Sequence, residues 1–121
     1  MIKLKALTTE QLRHAIRTGE FGRDVTASCQ RVAVVMTQDW CPDWKRMEPW
    51  LCNTVGCEDD LDIYIVVYNT LDCFQDFLRM KENHWRNDQV PYVRYYENGS
   101  LLRVSNAVPR EAFFSFFGLS P

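Results

Sequence analysis

Two β-branched runs constrain this chain most: "QRVAVVMT" at 30–37 and "DLDIYIVVYNT" at 60–70. Apolar residues fill consecutive positions of both, the pattern of strands buried on two faces. Between them lies "WCPDWKRMEPWLCNTVG", long enough for a helix. Strand, crossover helix and strand require a parallel pair. Pro42 suits the first turn of that helix, and Pro49 falls inside it or near its end, where it should kink the axis. Whatever else the chain does, it builds a sheet with helices packed on it.

The remaining elements follow from caps and periods. Thr8 or Thr9 can cap a helix through "TEQLRHAIRTG", with Leu12, Ala15 and Ile16 as its apolar stripe and Gly19 at its end. "LDCFQDFLRMKENHWRN" predicts another helix, with Asp72 as a cap and Phe74, Phe77 and Leu78 facing the core. "VPYVRYYENGSLLRVSN" predicts a β-hairpin about Asn98-Gly99, a pair that tolerates positive φ. "PREAFFSFFG" predicts a last helix, in which Phe113, Phe114, Phe116 and Phe117 are expected in the core; Phe117 alone could also serve a partner surface. The expected order is α-β-α-β-α-β-β-α: an α/β fold with a mixed central sheet and helices on both faces, in one domain over residues 1–121.

Composition narrows the functions. A formal net charge of −2 offers no basic footprint for nucleic acid or an anionic membrane. No run approaches the ~20 apolar residues of a membrane span, and the N-terminus "MIKLKALTTEQ" lacks a signal-like apolar stretch. The cytoplasm is the expected compartment. The odd set of Cys29, Cys41, Cys52, Cys57 and Cys73 argues against a disulfide scaffold. No Cys-x-x-Cys spacing or His motif suggests a metal, because His14 and His84 stand apart. Cys29, Cys52 and Cys57 are expected as ordinary core thiols.

"WCPDW", residues 40–44, carries the candidate chemistry. Cys41 should sit where a buried strand hands the chain to a helix N-terminus. Orphan N–H groups and the helix dipole favour an anion there, and the thiolate is the attacking species in disulfide exchange. Lys45 would add to that effect, while Asp39 and Asp43 would oppose it.

Four features together resemble the thioredoxin superfamily over nearly the whole chain. Trp40-Cys41 follows the first buried strand, Pro49 lies eight residues after Cys41, Val90-Pro91 opens the hairpin, and "YYENGS" forms its turn. Met1 to Thr18 is matched to the family's N-terminal helix. The resemblance implies a cis Val90-Pro91 bond facing Cys41. The expected substrate surface is Trp40, Pro42, Asp43, Trp44, Val90 and Pro91; the two tryptophans would bracket the thiol, or Trp44 would instead be partly buried against the hairpin.

The departures are as informative as the match. Trp44 stands where the family keeps its resolving cysteine, and Val35 replaces the buried carboxylate six residues before Cys41. The glycine-rich glutathione stretch of glutaredoxins is not evident. The expectation is a single-cysteine thiol-disulfide oxidoreductase acting on a protein or small-molecule disulfide, without cofactor unless a low-molecular-weight thiol serves as reductant. Cys41 would be the nucleophile, resolved by an external thiol or by Cys73. The competing expectation is a redox-inactive binding module using the Trp40, Trp44 and Val90-Pro91 surface.

Overall fold

The computed structural model describes residues 1–121. Its sheet has five strands in the order β1-β3-β2-β4-β5. These are β1 (Ile2–Ala6), β2 (Arg31–Thr37), β3 (Leu61–Val67), β4 (Tyr92–Glu97) and β5 (Ser100–Ser105). The helices are α1 (Thr9–Thr18), the short α2 (Arg23–Thr26), α3 (Pro42–Asn53), α4 (Phe74–Asn83) and α5 (Arg110–Ser115). β3 runs parallel to both β1 and β2, while β4 is antiparallel to β2 and β5.

Central β2 explains the two-faced apolar run. Val32, Val34 and Met36 join one core layer, and Ala33 and Val35 join the other. The first layer receives Leu12 and Ala15 of α1, Val25 of α2 and Phe77 of α4. The second receives Trp44, Met47 and Leu51 of α3 with Phe113 and Phe114 of α5. Full burial of each such side chain contributes about 1.5–3 kcal/mol before the entropy of ordering is subtracted.

The expected mixed sheet with helices on both faces is the fold observed, but the element order was incomplete. Residues 1–18 are not one helical segment: Ile2–Ala6 is an edge strand, registered residue for residue on Leu61–Ile65. Its alternation, Ile-Lys-Leu-Lys-Ala, is the period-2 signal of a strand. Only Ile2 of these five is fully buried, so the apolar signal was thin.

Local signals hold elsewhere. Thr8 caps α1 in a capping box with Gln11, and Gly19 ends the helix at φ 83°. Asn98 and Gly99 carry φ of 52° and 82° in the hairpin turn. The helix expected over 71–87 is shorter. Asp72 does not cap it; its carboxylate accepts two bonds from Arg13 at 2.8 and 2.9 Å, and Cys73 takes the cap position. Phe113, Phe114 and Phe117 are buried, so Phe117 belongs to the core. Cys52 departs from expectation: it is exposed, on the outer side of α3.

Candidate functional site

Cys41 occupies the N-cap position of α3, with φ −72° and ψ 118°. β2 ends at Thr37, and a three-residue loop delivers the chain to the helix. Pro42 fills the first helical position, where a missing N–H costs nothing. Pro49 lies inside α3, so the Lys45 carbonyl lacks its usual intrahelical donor.

The loop is held from the side. The Asp39 N–H donates to Asn69 Oδ1 at 3.1 Å, and Asn69 Nδ2 donates back to Asp39 Oδ1 at 2.9 Å. Gln38 Nε2 donates to the Tyr68 hydroxyl at 3.1 Å, while Gln38 Oε1 accepts from Trp40 Nε1 at 2.6 Å. Trp40 therefore projects 57% exposed yet has its indole nitrogen fixed. Burial pushes the Tyr68 phenol up, so it remains a neutral hydrogen-bonding group.

Across from the helix terminus, the Val90–Pro91 peptide bond is cis. Cys41 Sγ donates to the Val90 carbonyl at 3.5 Å, and the thiol is 3% exposed. The segment leading to Val90 is organised by Lys81, which is fully buried. Its Nζ donates to the carbonyls of Asn87 at 2.9 Å and Gln89 at 2.7 Å. Burial pushes its ammonium down to about 8. No carboxylate forms an ion pair with it; the backbone carbonyls and the Tyr92 ring, 5.6 Å away, face the charge directly, and Glu82 and Asp88 offset its burial only in part, from longer range.

These pieces enclose an open groove of about 520 Å³. Trp40, Cys41, Pro42, Asp43 and Val90 all border it, so five of the residues expected at the site converge. Phe74 and Leu78 of α4 supply its apolar wall, and Glu82 and Asp88 supply carboxylates.

Three expected site residues stand apart from that lining. Trp44 is 5% exposed and packs in the same core layer as Cys41, so it backs the groove instead of bracketing the thiol. Pro91 is buried behind Val90. Cys73 belongs to the core layer on the opposite face of the sheet from Cys41, and both thiols are free. Burial raises the Cys73 thiol, which disfavours its thiolate. Val35, in place of a buried acid, is fully buried in the layer of Cys41.

Gln38, Tyr68, Asn69 and Lys81 were missed from sequence. Lys81 alone carried a signal: it lies four residues after Phe77, on the same helix face, so it points into the core. Loop-to-loop pairing such as Asp39–Asn69 has no period to read. No group of three or more His, Cys, Asp or Glu side chains is placed to hold a metal ion. No helix is long and apolar enough to cross a membrane.

The sheet order β1-β3-β2-β4-β5, with helices packed on both faces, is that of the thioredoxin fold. Solved structures share it. A mutant thioredoxin from Halobacterium salinarum NRC-1 matches at TM-score 0.60 and 18% identity, covering 99% of this chain and 94% of its own. Thioredoxin O2 from Arabidopsis thaliana matches at TM-score 0.64 and 14% identity, over 93% of this chain and 89% of its own. Spinach chloroplast thioredoxin f matches at TM-score 0.64 and 17% identity, over 93% and 82%. No family model and no curated protein matches the sequence. At these identities the likeness establishes the fold.

Proposed function

We propose that the chain is a thiol-disulfide exchange protein with Cys41 as its single nucleophile. The observation that carries this reading is the meeting of Cys41 and Val90 at one groove, with the thiol at the α3 N-terminus. The Cys41 proton passes to solvent, and the thiolate attacks one sulfur of a substrate disulfide. A mixed disulfide forms on Cys41 and the other substrate sulfur leaves as thiolate. An external thiol then attacks the mixed disulfide at the substrate's sulfur, releasing Cys41 as thiolate. A second external thiol reduces the substrate–thiol adduct, so two thiols become one external disulfide. Cys73 is the less favoured resolving group, because it lies beneath the other face of the sheet and its thiolate is disfavoured. Five free cysteines fit a reducing compartment such as the cytoplasm.

Mass spectrometry after brief exposure to 2-hydroxyethyl disulfide tests the reading, with exposed Cys52 as internal reference. The mixed disulfide is expected on Cys41 ahead of Cys52, and Cys41→Ser should abolish catalysed exchange. Adduct on Cys52 alone would overturn the assignment.

A second reading rests on a different observation. The thiol is 3% exposed, and Val35 gives it no acid–base partner within the core layer. A redox-inactive module would use the Trp40 and Val90 groove to hold a peptide, and Cys41→Ser would leave that binding intact.

A further inference from the structure

The groove beside Cys41 has a charge character that the nucleophile does not require. Asp43, Glu82 and Asp88 border it, and no lysine, arginine or histidine does. Asp43 is spoken for, because Arg46 pairs with it. Glu82 and Asp88 make no ion pair.

Two cations stand close to these carboxylates, the buried Lys81 ammonium, on which both act at longer range, and the exposed Arg86 side chain; neither borders the groove. The Lys81 ammonium is buried and held by the carbonyls of Asn87 and Gln89. Arg86 borders the adjoining hollow with Glu82 and Asp88 and not the groove itself. The same lysine fixes the segment that bears Asp88, so one carboxylate is mounted on an anchored backbone. The other stands on α4, one turn beyond Leu78. Phe74 and Leu78, which border the same groove, give an apolar wall that suits the stem of a long cationic side chain.

We propose that this groove selects disulfides carrying a positive charge: a peptide segment with lysine or arginine flanking the disulfide cysteine, its cation received by Glu82 and Asp88. An anionic disulfide such as oxidised glutathione is disfavoured by the same carboxylates. This deepens the exchange reading and rests on it.

The test compares three small disulfides of similar length on the full chain: cystamine, a dication; 2-hydroxyethyl disulfide, neutral; and 3,3′-dithiodipropionate, a dianion. The measured quantity is the rate constant for adduct formation on Cys41, located by peptide mass spectrometry. The same series is run on Glu82→Gln/Asp88→Asn. Cystamine is expected to react about five- to tenfold faster, relative to the dianion, than it does in the double variant, the size of one or two exposed ion pairs. High salt should compress that gap. If the neutral disulfide modifies Cys41 but the cation-to-anion ratio is unchanged in the double variant, the selectivity is refuted and the exchange reading stands. If none of the three modifies Cys41, both fall.

Discussion

Lys81→Met gives a prediction whose size changes with pH. In the native chain the buried ammonium is pushed from 10.5 down to about 8. Keeping it charged near neutral pH costs about 3 kcal/mol relative to the unfolded chain. Its hydrogen bonds to the Asn87 and Gln89 carbonyls work in the other direction. Methionine removes the charging cost but orphans those carbonyls, at about 1–3 kcal/mol each. Two orphaned carbonyls cost about 2–6 kcal/mol against the roughly 3 kcal/mol released, so near pH 7 the variant should lie between about 1 kcal/mol above and about 3 kcal/mol below wild type.

Raising the pH separates them. The folded value of Lys81 lies below its unfolded value of 10.5, so between about 8 and 10.5 the unfolded chain binds more protons. Stability of the native chain therefore rises with pH across that window and falls as pH drops through 8. Burial holds the Tyr95 and Tyr96 phenols up, which costs stability above 10, but both proteins share that loss. Urea unfolding of the pair should show wild type gaining about 2 kcal/mol over Lys81→Met between about pH 7 and pH 10. A difference that stays flat with pH would refute the lowering of the Lys81 ammonium by burial.

Other substitutions separate the core from the groove. Trp44→Ala removes a side chain that is 5% exposed and should cost about 3–5 kcal/mol in urea unfolding. Trp40→Ala, at 57% exposure, should change stability by under about 0.5 kcal/mol while slowing adduct formation on Cys41. Arg94→Met breaks a buried network: its guanidinium donates to Tyr96, Tyr92 and Glu20 at 2.7–2.9 Å and lies 4.3 Å over the Trp85 ring. Burial opposes that charge, but Tyr96, Glu20 and Tyr92 outweigh it, so the variant should lose about 3 kcal/mol in the same assay. Val35→Asp sets an unpaired carboxyl in the apolar layer beside Cys41; denaturant unfolding should show a loss of about 3 kcal/mol near neutral pH, partly recovered on acidification.

The central strands were legible because residues buried on two faces must be apolar at consecutive positions, as Val32 to Met36 are. Helix limits marked by Thr8 and Gly19, and the Asn98-Gly99 turn, were legible because each meets a purely local backbone demand. The edge strand β1 was missed because a strand with one neighbour buries little. Cys41 was nominated by its place between a buried strand and a helix N-terminus, and Val90-Pro91 by the resemblance to the thioredoxin superfamily.

Sequence alone thus determined the layers, the parallel crossover and a thiol at a helix terminus, since these depend on periodicity and short-range stereochemistry. Only tertiary structure decided that Trp40 is outside and Trp44 inside. Four residues separate those fates: Trp40 lies in the loop before α3, and Trp44 in its first turn faces the core. It also decided that Cys73 lies across the sheet from Cys41. Glu82 and Asp88, forty residues and more from the thiol, came to share its groove through the packing of α4. Charges so distant in sequence meet only when the crossovers close, so no local pattern could have announced them.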